Sequence, residues 1–392
     1  MGHQRAWPLV LAGAAAGLTW AAALRGWMIQ MAGDTSAFHW FGTFALTLTP
    51  GLCVGGLIGL AEYRRRFGGP RTWWLTFSPC LFLAALADPA IFKLLITQGI
   101  GGGAIGVVAF GLAGGYALSG RGRAWRRRTC GVFAVLGVLL MMVLASDTAP
   151  LQTAHGLWVG LYAASLLAVL MLACAIPQRI GRAHLVPAPW VAAAAGAVCG
   201  LAWAAALRAF MWEVAGVDAG VDWAGTIVWV LLPGAIIGAL MAWAEHRRWT
   251  GSLSHARWFI WSPMLFAAVL LQKPLDLLAG FEGGVGLGAV AVPAICMLGG
   301  YALAGQGPLW GRGLCGILTL SAVPIWALTA TKVGGGPMSL GDPHGLWAAI
   351  LYWGLLATFS MAAAIPHRTP VAPLERRSPP PATHAEPAPT TT

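Results

Sequence analysis

Charged residues are scarce in this chain. They make up 9% of its 392 residues, whereas an ordinary soluble domain carries roughly 25%. So few charges cannot hydrate the surface of a protein this long, which excludes a water-soluble globule. Lysine is nearly missing, with three occurrences at Lys93, Lys273 and Lys332. The 13 acids are scattered, and no convergent acid, base or metal set presents itself. The seven cysteines form no C-x-x-C and sit in or at the ends of apolar stretches. They read as small buried residues, not as disulfides or metal ligands. Walker A, zincin and hydrolase-elbow motifs are absent. A formal Gly101-x-Gly103-x-x-Gly106 match lacks the strand that precedes a dinucleotide fingerprint. No catalytic residue, metal or cofactor is expected, and an enzyme is not the favoured reading.

What remains is apolar. Hydrophobic residues make up 58% of the chain and mean hydropathy is +0.72. Apolar stretches recur from Trp7 to Pro366, each about 20 residues long and so able to cross a bilayer as a helix. They are continuously apolar and rich in Ala, Gly and Leu, where barrel strands would alternate. The first, Trp7 to Met31, is too long for the apolar core of a signal peptide, so no cleavable leader is expected. The class is an all-α polytopic membrane protein whose main partner is the lipid bilayer.

In a soluble protein a net charge of +11 would suggest nucleic acid. Its distribution points elsewhere. Nineteen of the 21 arginines fall on one side of the apolar stretches, in Arg5, Arg64 to Arg66, Arg71, Arg121 to Arg128, Arg179, Arg182 and later counterparts, beside four acids. All three lysines and nine acids fall on the other side. That asymmetry is the positive-inside pattern, so the arginine face is cytoplasmic. The basic clusters are short turns between spans, which argues against a nucleic-acid partner. Arginine in place of lysine, beside high Ala and Gly, matches a GC-rich bacterial genome. The expected location is therefore a bacterial inner membrane, multi-pass.

Each interval between arginine clusters fits two crossings and an outer turn. Residues 6–63 turn near Gly33, residues 72–120 near Gln98, and residues 129–178 near Asp147. The unit then recurs. Gly17 to Arg25 matches Gly200 to Arg208 at eight of nine positions, 183 residues apart, and the spacing drifts to 189 by His155-Gly156-Leu157-Trp158 against His344-Gly345-Leu346-Trp347. Pro50-Gly51 matches Pro233-Gly234, and Ser78-Pro79 matches Ser262-Pro263. Twelve helices are expected as two six-helix repeats, at 1–178 and 189–366. An even number of crossings gives both repeats the same orientation, as in parallel-repeat transporters, and puts both termini in the cytoplasm. Residues 179–188 read as a cytoplasmic linker. Residues 367–392 read as a disordered Pro-rich tail, a possible dock for a protein partner.

Two arginines, Arg25 and Arg208, lie inside apolar stretches at matched places. An intramembrane arginine usually faces protein or water. Two guanidiniums facing each other between the halves would suit a phosphate, carboxylate or anionic head group. Alternatively each snorkels or pairs with an acid such as Asp34, Asp88 or Glu213. Asp88 and Lys273 occupy aligned positions with inverted charge, as a cross-half pair, an asymmetric site, or simple loop charges. Glu62 and Glu245 end helices just before arginines, where a carboxylate needs a partner; they fit a conformational latch or local pairing. Pro50, Pro79, Pro233 and Pro263 fall within spans and imply kinks or breaks. His155 and His344 open helices three residues before a Trp, as interfacial anchors.

The functional expectation is a transporter-like permease or channel-like protein. It would bind a small, anionic or lipid-like ligand between two pseudo-symmetric halves. The alternative is a non-catalytic scaffold, assembly or sensor subunit. The topology is directly checkable in a bacterial host. A reporter that fluoresces only in the cytoplasm, fused after Thr392, is expected to be bright. An alkaline phosphatase inserted at Gly99 is expected to be active. The opposite pair of readings inverts the chain.

Overall fold

The computed structural model describes residues 5–33, 38–70, 72–89, 92–93, 96, 102–146, 149–180, 187–215, 220–251, 257–271, 287–329 and 338–369. Among these residues the secondary structure is helical, with no strand. In chain order the main elements are α1 (Trp7–Ala32), α2 (Trp40–Phe67), α3 (Ser78–Ala87), α4 (Gly102–Leu118), α5 (Ala124–Ser146), α6 (Ala154–Gln178) and α7 (Pro189–Ala215). They continue as α8 (Trp223–Thr250), α9 (Ser262–Leu271), α10 (Leu287–Leu303), α11 (Leu309–Leu328) and α12 (Pro343–Ala363). Helix closes every backbone hydrogen bond within its own segment, which an apolar solvent demands.

Eight of these helices are long and apolar enough to cross a membrane, namely α1, α2, α5, α6, α7, α8, α11 and α12. The expectation of twelve full crossings therefore meets eight among the described residues. Among the described residues the other four are shorter. Helices α3 and α9 are wound as ten-residue 3₁₀-helices. At about 2.0 Å per residue each reaches about 20 Å, short of the roughly 30 Å apolar core. Helices α4 and α10 have 17 residues, about 25 Å at 1.5 Å per residue. The 179–188 linker and the 367–392 tail lie largely outside the described residues.

The four prolines do not kink continuous α-helix. The first nine residues of α2, Trp40–Leu48, and of α8, Trp223–Leu231, are π-helical, and ordinary α winding follows. Pro50 and Pro233 stand at that switch. A proline ring clashes with the carbonyl four residues back, here that of Leu46 or Trp229. Widening the preceding turns relieves the clash, and the amides of Thr49 and Leu232 donate five residues back, to Phe44 and Ile227. Pro79 and Pro263 open α3 and α9 in the first turn, where a missing N–H costs nothing. Each follows a buried serine that donates its hydroxyl to a carbonyl three residues back, Ser78 to Leu75 at 3.0 Å and Ser262 to Phe259 at 2.9 Å.

Two helix pairs are built on backbone-to-backbone contact. In α1 against α2, Gly13 and Gly17 meet Gly51, Gly55 and Gly59; in α7 against α8, Gly196 and Gly200 meet Gly234 and Gly238. A Cβ on Gly17 would strike the Gly51 carbonyl, and one on Gly200 the Gly234 carbonyl. In lipid, such small-residue faces replace the hydrophobic effect as the reason helices associate.

The centre of the molecule is made by α1, α6, α7 and α12. Ala22, Trp158, Tyr162, Ala205, Trp347 and Leu351 are all fully shielded in one continuous cluster. The alanine runs Ala21 to Ala23 and Ala204 to Ala206 leave room for the indoles, and most large side chains of α5 and α11 are left on the outside, Met141 and Trp326 being buried.

Substituting Gly200→Leu is expected to destabilise the detergent-purified protein by about 2 kcal/mol or more, because the overpacked pair must separate. Gly42→Ala, where a Cβ meets nothing within 4 Å, is expected to stay within about 0.5 kcal/mol. Thermal unfolding followed by circular dichroism compares the two.

Candidate functional site

Trp158 and Trp347 cross between the central helices. The indole N–H of Trp158 on α6 donates to the Ala205 carbonyl on α7 at 3.3 Å. That of Trp347 on α12 donates to the Ala22 carbonyl on α1 at 3.0 Å. Two further indoles also bond between helices, Trp20 on α1 to the Leu166 carbonyl on α6 at 2.9 Å and Trp203 on α7 to that of Leu355 on α12 at 3.0 Å. The Tyr162 hydroxyl donates to the Ala23 carbonyl at 2.6 Å. These carbonyls already serve their own helices and use a second lone pair here.

The two intramembrane arginines flank this centre, one residue before a contact between their helices, where Gly26 of α1 lies against Ala209 of α7. Each guanidinium lies over aromatic rings. Arg25 sits 4.6 Å from the Phe38 ring centre. Arg208 sits 5.4 Å from Trp158 and 5.9 Å from Trp212, donates to Thr226 Oγ1 at 3.2 Å and to the Gly220 carbonyl at 3.1 Å, and is 5% exposed. Cation–π contacts of this kind gain strength when desolvated.

The histidines belong to the same region. His344 Nε2 lies 2.9 Å from Glu213 Oε2, and its ring stacks on Phe38 at 4.4 Å. His155 stacks between Trp158 and Trp212, at 5.6 and 5.5 Å. Arg25, Phe38, Glu213 and His344 thus form one charged and aromatic group, and Arg208, Trp158, Trp212 and His155 another. Nothing in the sequence singles out Phe38. Glu213 is one of several acids open to Arg25, and its carboxylate is within electrostatic reach of that arginine while hydrogen-bonded to His344. Asp88 caps the end of α3. Lys273, its aligned counterpart, lies outside the described residues, as do Asp34 and Asp147.

At the arginine-rich end the geometry is different. Glu62 accepts from Arg65 at 2.6 and 2.7 Å and from Arg66 at 2.5 Å. Glu245 accepts from Arg248 at 2.7 and 2.6 Å and from the Trp249 indole at 2.7 Å. Both carboxylates are therefore paired within their own helix ends. The two clusters also sense each other, since Arg66 lies within electrostatic reach of Glu245, and Arg368 of Glu245, Arg248 and Arg66. Arg179 donates to the Leu118 carbonyl and Arg121 to that of Ile180, each at 2.6 Å.

Glu62, Arg65, Arg66, Arg179, Glu245 and Trp249 of this end line a cavity of about 610 Å³. Its inner wall is apolar and made of small and aromatic residues, among them Gly196, Cys199, Gly200, Trp203, Met241, Phe266 and Phe359. Its polar lining is Glu62, Arg65, Arg66, Arg179, Glu245 and His246, with Thr358 inside. Ligand sites of small molecules have this size and this balance of apolar wall and few polar groups. Neither Arg25 nor Arg208 lines it. Its walls come chiefly from α7, α8 and α12, closed by the ends of α2 and α6.

No protein-family model, curated protein or solved structure matches the chain. The structure by itself gives the class, an all-helical protein with the build of a membrane-embedded one.

Replacing Trp347 with Phe removes the donor to the Ala22 carbonyl and part of a fully shielded side chain. The expected loss is about 1–2 kcal/mol in detergent unfolding. Trp125→Phe, on an exposed side chain, is expected to change stability by less than about 0.5 kcal/mol.

Proposed function

We propose that the chain is a transporter-type protein of the cytoplasmic membrane that takes an anionic, lipid-like molecule into the cavity at its arginine-rich end. The observation that carries this reading is the two-part lining of that cavity. A hydrocarbon tail fits the wall of Gly196, Gly200, Trp203, Phe266 and Phe359, and an acidic head fits the mouth, where three arginines stand against two glutamates. Burying the tail contributes about 0.8 kcal/mol per CH₂. The head group adds charge-assisted hydrogen bonds from arginine.

In this reading the chain is two same-orientation halves, 1–178 and 189–366, with the shorter helices completing twelve crossings and both termini in the cytoplasm. The sequence matches at a spacing of 183 to 189 residues support it. So do the paired structural features: two π-to-α switches at proline, two glycine-built helix pairs, and two indoles crossing between the central helices. Arg25 and Arg208 then hold the interface between halves at the opposite end from the ligand. Glu62 and Glu245, with their arginines, are the groups that would rearrange as a ligand enters.

One observation favours the alternative, a non-catalytic scaffold or sensor subunit: both carboxylates at the mouth are already satisfied by arginines of their own helix. A thiol-protection experiment separates the two. Cys199 is a free thiol on the cavity wall. In a variant retaining only that cysteine, reconstituted in nanodiscs of neutral lipid, its alkylation by a small maleimide reports access. Long-chain lipid phosphates or fatty acids are expected to slow labelling several-fold, inorganic phosphate is not, and R65Q/R66Q is expected to remove the protection. If none of these ligands protects Cys199, the scaffold reading holds.

A further inference from the structure

The turn that leads into α5 carries five arginines within eight residues, Arg121, Arg123, Arg126, Arg127 and Arg128, around Trp125. Two of the five hold the fold. Arg121 donates to the Ile180 carbonyl at 2.6 Å, and Arg127 Nε donates to the Ala117 carbonyl at 3.2 Å. The other three are exposed, as is Trp125. No hydrogen bond or ion pair ties the side chains of Arg123, Arg126 and Arg128 to another residue among the described residues. Arg126 rests 5.4 Å from the Trp125 ring centre.

The same turn recurs 185 positions later without these three cations. Gly122 and Gly307 take φ of +81° and +86°, and lie against the hydroxyls of Tyr116 and Tyr301. Arg312 repeats the bond of Arg127, donating to the Ala302 carbonyl at 3.2 Å, and Trp310 stands where Trp125 does. Arg123, Arg126 and Arg128 are matched by Pro308, Gly311 and Gly313. The turn therefore folds without the three exposed arginines. They do not serve the helix either, because cations in a first turn oppose its dipole. Their charge is left to face something outside the chain.

Exposed rings say what that is. Trp7 and Trp190, Trp74 and Trp258, Phe77 and Trp261, and Trp125 and Trp310 are matched pairs at the arginine-rich ends of their helices. All eight are 41–80% exposed. Indoles collect at the head-group level of a bilayer, so Trp125 sets the neighbouring guanidiniums among lipid phosphates. Guanidinium pairs well with phosphate, and a basic cluster beside a span gathers acidic lipids.

We propose that Arg123, Arg126 and Arg128, with Trp125, form a docking surface for the head groups of anionic phospholipids in the leaflet at the arginine-rich end. The surface is one-sided: anionic lipid gathers at the start of α5 and not at the start of α11. None of these four residues lines the cavity, so the surface stands apart from the cavity ligand.

The chain holds its own pair of reporters. Cys130 and Cys315 are free thiols at matched places, each partly exposed and five residues beyond its indole. Single-cysteine variants of the full chain, labelled with a fluorophore, are reconstituted in bilayers of phosphatidylglycerol and phosphatidylcholine. A small fraction of one lipid or the other carries a nitroxide quencher at the same acyl position. At Cys130 the anionic lipid is expected to quench about twofold more strongly than the neutral one, or better, and high salt is expected to shrink the difference. At Cys315 the two lipids are expected to quench alike. R123Q/R126Q/R128Q is expected to equalise them at Cys130, and R65Q/R66Q at the cavity is expected to leave the preference in place. Equal quenching at Cys130 with all arginines present overturns the proposal. So does a preference that survives the triple substitution, appears equally at Cys315, or disappears in R65Q/R66Q. If the triple variant does not fold, the comparison of Cys130 with Cys315 decides alone.

Discussion

A polar group inside a membrane has no water to fall back on, and most of this structure follows from that. Each backbone must close its hydrogen bonds within its own helix. Many of the large polar side chains that enter the interior reach a partner on a neighbouring segment, although the indole N–H groups of Trp27, Trp326 and Trp353 find none among the described residues. The indoles of Trp20, Trp158, Trp203 and Trp347 do so by bonding carbonyls of adjacent helices. Arg208 does so through Thr226, Gly220 and two aromatic rings. Because these partners lie on other helices, the same bonds that satisfy the side chains set the register between α1, α6, α7 and α12.

Close approach makes those bonds reachable. Glycines let α1 lie directly on α2 and α7 on α8, and alanines on the inner faces leave room for the indoles. The prolines act at the next level. Pro50 and Pro233 stand where π winding gives way to α winding in α2 and α8; Thr226 lies in one π segment, and Phe38 lies just before the other. The arginine partners are therefore supplied by irregular backbone, which is tolerated here because protein surrounds it.

The two ends of the molecule divide polar work differently. At one end charge is mixed with aromatic rings: Arg25 and His344 share the Phe38 ring, and Glu213 is hydrogen-bonded to His344. At the other end, carboxylates are clamped by arginines of the same helix around an apolar cavity. A cluster held within its own helix end leaves the neighbouring cavity unoccupied by protein. A cluster shared among three segments ties those segments together. The proposed ligand site follows that difference.

Composition and spacing by themselves determined that the chain is helical and apolar enough for a membrane. They also show that its arginines gather in clusters between apolar stretches, and they single out Arg25, Arg208, Asp88, Lys273, Glu62, Glu245, His155 and His344 as candidate polar residues. Such features are local: hydropathy, charge order and recurrence along one dimension. Only the tertiary structure decided that Pro50 and Pro233 mark a change of helix type, that α3 and α9 are short 3₁₀ segments, and that the cavity lies at the arginine-rich end, away from Arg25 and Arg208. It alone brought Phe38 between Arg25 and His344, and Glu213 against that histidine across 131 residues of sequence. Helices that are apolar all round carry no stripe to say which face turns inward. Which residues meet is then set by side-chain fit and by the search of each buried polar group for a partner, and neither is written in the order of residues along one helix.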